Sequence, residues 1–315
     1  MAAGSNPGYN QRMMRRGRWH RVVAYGLAAL GACAVALLLV RACRDYEPVA
    51  ERAFLEVNRP MVIAHRGASA LTTEHTLEAF ELALEAGADV LELDLRLTAD
   101  GIPLIAHDRD LARPLGVASP IAETPLADLR AAVGEAKPER PAHEMLLTFE
   151  DALRRFSDER LNVELKDNDP ALAEAAYRLI ERHEAHDRVL VASFHAGVLR
   201  AFREVSQGTT ATSAATSEAL RFYGCYLVRM PCRPSFEALQ IPPSAGSSWL
   251  APDLSKRRFI AFAHRHGLAV HYWTIDDPTE IERLFAAGAD GVMTNDPAVA
   301  AAARAAALEE ADHAR

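Results

Sequence analysis

The segment from residue 61 to residue 95 decides the fold of this chain. It opens with the apolar run MVIA (61–64), continues through TLEAFELALEA (76–86) and closes with a second apolar run, VLELDL (90–95). The middle part has the spacing of an amphipathic helix, and Gly87 follows it as helix-ending glycines do. Two apolar strands joined by a helix predict a parallel sheet covered by helices.

The same alternation continues toward the C-terminal end. Further strands are predicted at IPLIA (102–106), LNVEL (161–165), VLVASF (189–194), LAVHYWTI (268–275) and GVMT (291–294), with one more at either 208–212 or 237–241. We therefore predict a (β/α)8 TIM barrel with a small insertion, about 108–147, after the third strand. A doubly wound open sheet is the competing fold, but no Gly-rich fingerprint follows the first strand.

An apolar run precedes the predicted barrel. Residues 22–40 are nineteen residues without a charge, which is the length of a membrane-spanning helix. Five arginines lie in the segment before the run, whereas only Arg41 and Arg44 follow it closely. This asymmetry predicts a cytoplasmic N-terminus and a single-pass protein of the cell membrane with an extracytoplasmic, periplasmic-side barrel. A cleaved signal peptide, or lipoprotein processing at Cys33, remains an alternative.

These features predict five regions along the chain. They are a basic tail at 1–21, a transmembrane helix at 22–40, a linker at 41–59, the barrel at 60–300 and a C-terminal helix and tail at 301–315. Seven of the 35 basic residues lie in the first 44 positions, so the other 28 accompany all 43 acidic residues. A domain this negative does not attract nucleic acid through its general field. Cys225 and Cys232 could form a disulfide or remain free thiols.

Carboxylates cluster where the predicted strands end, which is the functional rim of such a barrel. Glu92 and Asp94 lie two positions apart and so point to the same side of one strand, and Glu164 lies near the end of another. Like charges in one site repel unless a cation neutralises them, and carboxylate oxygens suit Ca²⁺ or Mg²⁺. These three residues are therefore candidate ligands of one divalent cation.

Histidines and cations occupy the same rim. His65 and His107 follow predicted strands and remain free for proton transfer, since the pKa of histidine is close to neutral pH. Arg66 and Lys166 supply the positive charge that a phosphate group requires. The chain has an acidic barrel domain, so an anionic substrate depends on such local cations.

Seven short motifs share this order with a known family. They are HRG (65–67), ELD (92–94), HD (107–108), VELK (163–166), SF (193–194), WTI (273–275) and DGVMT (290–294). In sequence and spacing, residues 60–300 resemble the glycerophosphodiester phosphodiesterases. The resemblance implies a (β/α)8 barrel, a divalent metal on Glu92, Asp94 and Glu164, and catalytic histidines at 65 and 107. It further implies phosphate contacts from Arg66 and Lys166 and a substrate-lining aromatic at Trp273.

The chain departs from the family pattern at three places. Where the family usually has Pro-Glu-Asn-Thr, this chain has Thr73-Glu74-His75-Thr76. Where the family has Trp-Thr-Val-Asn, this chain has Trp-Thr-Ile-Asp and ends the motif at Asp276. Where the family has a late Thr-Asp, this chain has Thr-Asn, with Asn295 in place of the Asp. None of the three departures falls on a predicted metal ligand or on either predicted catalytic histidine. We expect His75 to be a surface residue that leads into a helix, with a third histidine of the functional rim as the alternative.

The expected activity is hydrolysis of glycerophosphodiesters to sn-glycerol 3-phosphate and an alcohol, with a small or lipid-derived phosphodiester as substrate. A lysophospholipase D or phospholipase-like activity on lipids is the second hypothesis, because the predicted anchor holds the rim near a bilayer. A non-catalytic phosphate-binding domain is the third hypothesis, although all five candidate ligands and catalytic residues are present.

Overall fold

The computed structural model describes residues 52–244 and 252–313, together with Val49. By internal contacts the chain divides into two units, one of Met1–Glu47 with Val228–Pro231 and one of Pro48–Leu227 with Cys232–Arg315. The second unit contains the barrel. The predicted membrane span at 22–40 lies outside the described residues. Among the residues that are described, no helix combines the length and the apolar character needed to cross a membrane.

Eight parallel strands form a nearly closed barrel. The strands, numbered along the chain, are β1 Met61–His65, β2 Val90–Leu97, β3 Pro103–Ile105, β4 Asp110–Leu111, β5 Val117–Pro120, β6 Arg160–Leu165, β7 Val189–Ala192, β8 Ala211–Thr212, β9 Ala238–Ile241, β10 Ala269–Tyr272 and β11 Gly291–Thr294. The barrel order is β8-β7-β6-β2-β1-β11-β10-β9. A parallel bridge between Ser213 and Ala238 joins the two ends. The predicted barrel is confirmed.

The predicted strand at 102–106 is not one of the barrel strands. β3 pairs antiparallel with the end of β2, with Leu95 opposite Ile105 and Leu97 opposite Pro103. Only a short turn separates β2 from β3, whereas a parallel neighbour requires a crossover of a dozen or more residues. Both candidate positions for the uncertain strand, 208–212 and 237–241, instead contain barrel strands.

The segment after β3 builds a small layer of its own. It holds the β4–β5 hairpin and several short helices around an apolar cluster that includes Leu104, Leu115, Ile121 and Leu129. The second barrel strand, rather than the third, therefore carries this insertion.

Helices alternate with the barrel strands. They are α1 Leu77–Glu85, α2 Ala112–Leu115, α3 Leu126–Ala136, α4 Ala142–Met145, α5 Phe149–Arg155, α6 Pro170–Arg182, α7 Ala196–Ser206, α8 Thr216–Val228, α9 Arg257–His264, α10 Pro278–Ala287 and α11 Pro297–His313. Thr76 caps α1 by accepting a hydrogen bond from the backbone N–H of Ala79 at 3.3 Å. The helix predicted between the first two strands is thus present, and the predicted C-terminal helix is the end of α11.

A disulfide joins Cys225 in α8 to Cys232, with Cα atoms 6.0 Å apart. The sequence alone does not distinguish this disulfide from two free thiols.

Candidate active site

A cavity of about 230 Å³ opens at the carboxyl ends of the barrel strands. Seven of the eight site residues expected from the sequence line it, namely His65, Arg66, Glu92, His107, Glu164, Lys166 and Trp273. The eighth, Asp94, is almost fully buried beside them. The structure therefore brings the whole predicted set to one site.

Strand register explains this convergence. In the parallel pair β1–β2, His65 lies beside Glu92, and in the pair β2–β6, Asp94 lies beside Glu164. Residues side by side in register point to the same face of the sheet. Glu92 and Asp94 lie within β2 rather than at its end, because β2 extends to Leu97 and pairs there with β3.

The carboxylates of Glu92, Asp94 and Glu164 lie close enough to affect one another's ionisation. Burial raises the pKa of Glu92 well above its ordinary value, and the charges of Asp94 and Glu164 raise it further. Burial and the charge of Asp94 likewise raise the pKa of Glu164. Burial also opposes ionisation of Asp94, but the positive charges of its neighbours, of His75 when it is protonated and then of Lys166 and Arg66, outweigh burial and lower the pKa of Asp94. A metal cation bound by these three carboxylates would favour their charged forms.

Two positively charged side chains, Lys166 and Arg66, contact the carboxylates. Lys166 Nζ lies 3.1 Å from Asp94 Oδ1 and 2.9 Å from Glu164 Oε2. Arg66 Nε lies 3.3 Å from Asp94 Oδ2, and the backbone N–H of Arg66 donates to Glu92 Oε2 at 2.9 Å. Although these charges are close, neither oxygen of Asp94 accepts a hydrogen bond from the described residues.

His75 belongs to this site, contrary to the expectation of a surface position. It is only 5% exposed, and its Nε2 lies 3.4 Å from Asp94 Oδ2. His75, Glu92 and Asp94 offer ligand atoms within 4.8 Å of one another, so this cluster could hold a metal ion. Burial lowers the pKa of His75 to about 4. The turn before α1 folds back over β2, which a pattern of local hydropathy does not reveal.

His65 is held by a side chain from the far end of the barrel sequence. Its Nδ1 lies 2.7 Å from Asn295 Oδ1. Burial lowers the pKa of His65, and the charge of Arg66 adds to that effect, while the hydrogen bond to Asn295 opposes it. The imidazole is therefore neutral at neutral pH and able to accept a proton.

His107 has a carboxylate as its partner, whereas His65 has an amide. Its Nδ1 lies 2.7 Å from Asp108 Oδ1, and Asp108 Oδ2 accepts a hydrogen bond from Arg113 Nε at 2.6 Å. Burial opposes ionisation of Asp108, but the hydrogen bonds from Arg113 and His107 lower its pKa to about 2. His107 follows β3, so the insertion rather than a barrel strand supplies it.

An aromatic pair stands at the cavity. The rings of Trp273 and Phe194 meet edge to face with centroids 5.8 Å apart, and Phe194 is 52% exposed. Phe194 was part of a recognised motif, but no role was predicted for it. Asn162 and Gln240 also line the cavity. Their strand positions carried no distinctive signal in the sequence.

The sequence model of the glycerophosphoryl diester phosphodiesterase family matches residues 65–299. This match spans the β1 histidine, the buried carboxylates and the last barrel strand. The chain belongs to this family. It is accordingly a phosphoric diester hydrolase.

Curated relatives and solved structures agree with the assignment. A probable glycerophosphodiester phosphodiesterase 2 of Mycobacterium tuberculosis is 29% identical over 77% of this chain and 89% of its own length. The lysophospholipase D GDPD3 of Homo sapiens is 25% identical over 74% of this chain and 81% of its own length. The structure of an Oleispira antarctica phosphodiesterase in complex with the product sn-glycerol-3-phosphate is 26% identical, with a TM-score of 0.61, over 78% of this chain and 96% of that one.

Proposed function

We propose that this protein hydrolyses glycerophosphodiesters to sn-glycerol 3-phosphate and an alcohol, using a divalent cation and the histidines His65 and His107. The observation that carries the proposal is the placement of both histidines in one cavity with Arg66 and Lys166. The similar structure of an Oleispira antarctica phosphodiesterase in complex with the product sn-glycerol-3-phosphate lends support from outside the chain.

The cation would be held by Glu92, Asp94 and Glu164. Their fit rests on the two buried oxygens of Asp94 that accept no hydrogen bond from the described residues and on the raised pKa values of both glutamates. Carboxylate donors favour Ca²⁺ or Mg²⁺. A bound cation of this kind polarises a phosphate oxygen and lowers the pKa of a hydroxyl.

His75 supports this centre from behind Asp94 in our proposal. Its Nε2 accepts a hydrogen bond from the backbone N–H of Asp94 at 3.3 Å, so its lone pair is already engaged. This buried hydrogen bond holds the backbone of the strand residue that carries the Asp94 carboxylate.

The histidines and cations divide the remaining work. Arg66 and Lys166 neutralise the phosphate as charge develops on its oxygens. One histidine takes the proton of an attacking substrate hydroxyl as its oxygen bonds to phosphorus. The other histidine donates a proton to the departing alcohol oxygen as the bond between that oxygen and phosphorus breaks, which leaves a cyclic phosphate of glycerol. Water then opens the cyclic phosphate with the roles of the histidines reversed, giving sn-glycerol 3-phosphate.

A lipid substrate is the second candidate, and the exposed ring of Phe194 beside Trp273 favours it, because an apolar surface at the cavity mouth can contact an acyl chain. Two of the relatives that match this chain are named lysophospholipase D in humans.

A comparison of two substrates tests which activity dominates. We expect a higher kcat/KM for glycerophosphocholine than for lysophosphatidylcholine, because the cavity is small and lined largely by polar side chains. Released glycerol 3-phosphate and lysophosphatidate are measured separately. Phe194→Ala should lower turnover of the lipid while leaving glycerophosphocholine turnover within about twofold, since a removed apolar contact at the mouth costs binding only of an acyl chain. A higher kcat/KM for the lipid would establish the second candidate instead.

We further propose that the chain is anchored in the cell membrane by residues 22–40, with the barrel on the extracytoplasmic side. The excess of arginine before this run supports that orientation, and the Cys225–Cys232 disulfide is typical of compartments outside the cytoplasm. A reporter that is active only outside the cytoplasm, fused after Arg315, should be active. Activity of a cytoplasmic reporter alone at the same position would reverse the topology.

A further inference from the structure

Asp276 is hydrogen-bonded to Asn295, the residue whose side chain contacts His65. The carboxylate of Asp276 accepts two hydrogen bonds from Asn295, one from the backbone N–H at 2.8 Å and one from Nδ2 at 2.7 Å. It also accepts a hydrogen bond from Thr294 Oγ1 at 2.8 Å. Three donors thus fix one carboxylate at the end of β11.

This contact decides which way the amide of Asn295 points. Because a carboxylate can only accept, Nδ2 must face Asp276, and Oδ1 must face the other way. On that side Oδ1 lies 2.7 Å from His65 Nδ1 and 3.0 Å from Ser69 Oγ. The reversed amide would place an oxygen against the carboxylate of Asp276 and an N–H against the imidazole.

The orientation of Asn295 in turn decides the tautomer of His65. An amide oxygen can only accept, so the proton of the neutral imidazole must be on Nδ1. Nε2 is then left without a proton, as the acceptor of the ring. His65 lines the cavity, so the ring presents this acceptor within the proposed active site.

We infer that Asp276 is a positioning residue that acts through Asn295 to hold His65 in the tautomer that accepts a proton at Nε2. The inference rests on the proposed function, in which His65 takes part in hydrolysis.

Substitutions at positions 276 and 295, followed by kinetics and by NMR, test this relay. Asp276→Asn removes the acceptor that orients Asn295, and we expect kcat to fall about 10–100-fold with KM within about twofold, the size typical of an orienting partner. Asn295→Asp places two carboxylates in contact and should lower kcat as well. The double variant D276N/N295D restores one carboxylate and one amide in exchanged places, and its kcat should recover to within about fivefold of the unmodified protein.

The matched control is Asp277→Asn. Asp277 carries the same charge one residue further along but caps α10 through the backbone N–H groups of Thr279 and Glu280, without touching Asn295. Because Asn caps a helix as well as Asp does, this variant should leave kcat unchanged. A fall in kcat equal to that of Asp276→Asn would reduce the effect to local charge or folding.

The tautomer is read directly by ¹⁵N NMR of the histidine rings, with the signal of His65 assigned by its loss in His65→Gln. The spectrum should show Nδ1 protonated in the full chain and a mixture of tautomers in Asp276→Asn. An unchanged tautomer in Asp276→Asn, or a double variant no better than its single parents, would overturn the inference. The NMR result stands without any substrate, so failure of the proposed hydrolysis would appear separately as absent turnover with an intact tautomer.

Discussion

Replacing Glu92 with Gln should lower the rate of glycerophosphodiester hydrolysis by at least about 10³-fold, a loss typical of removing a key electrostatic group at a reacting phosphate. Gln keeps the size of the side chain and an oxygen that can still accept the hydrogen bond from the backbone N–H of Arg66. What it removes is a negative charge from a group in which two glutamates already have raised pKa values. The cation should therefore bind more weakly, which calorimetry with Ca²⁺ and with Mg²⁺ measures independently of turnover.

Glu123→Gln provides the matched control, since Glu123 is an exposed carboxylate of the insertion that does not line the cavity. It should keep full turnover and unchanged metal affinity. Exhaustive chelation of the unmodified protein should abolish turnover, and Ca²⁺ or Mg²⁺ should restore it. Full activity after chelation would exclude the metal-dependent mechanism.

Replacing Gly67 with Ala should lower the free energy of unfolding by about 3–4 kcal/mol, the combined cost of a positive φ and of overpacking. Gly67 has φ +81°, and a Cβ there would lie 2.7 Å from the backbone carbonyl carbon and oxygen of Ala79. These are backbone atoms of α1 next to β1, so neither side can yield without moving the helix. Urea unfolding monitored by circular dichroism measures the loss.

Gly101→Ala separates the two contributions. Gly101 has φ +77°, but a Cβ there would meet nothing within 4 Å. The loss should be about 1 kcal/mol, the cost of the backbone conformation alone. Equal losses in the two variants would show that the contact with α1 does not matter. Because Arg66 precedes Gly67 and its N–H contacts Glu92, Gly67→Ala should also reduce activity at temperatures where it remains folded.

Much of the site could be predicted because its residues follow strands that local pattern identifies. The apolar run before His65 and the alternation through Glu92 and Asp94 are visible without any long-range contact. Side chains two apart on a strand share a face, and the carboxyl ends of parallel strands share a rim. These two rules were enough to bring His65, Glu92 and Glu164 together.

Two predictions, a barrel strand at 102–106 and a surface position for His75, were wrong because contacts with other segments outweighed the local sequence pattern. IPLIA (102–106) has the composition of a barrel strand, but the short turn after β2 forces it into a hairpin. The buried position of His75 depends on how the turn before α1 folds over β2. A sequence signal was present there, since His75 departs from the family pattern, but its position just before a helix favoured a surface residue.

The strand–helix alternation, the barrel and the residues at its rim could be predicted from the sequence, because hydrophobic periodicity and side-chain alternation are local properties. The partners of these residues depend on contacts between segments that are distant along the chain. His65 and Asn295 are 230 positions apart, yet their side chains meet at 2.7 Å because β1 and β11 are neighbours in the barrel. The tautomer of His65, the pKa values of Glu92 and Glu164 and the role inferred for Asp276 all follow from such contacts, since hydrogen bonds and charges act over a few ångströms in space, whatever the distance along the chain.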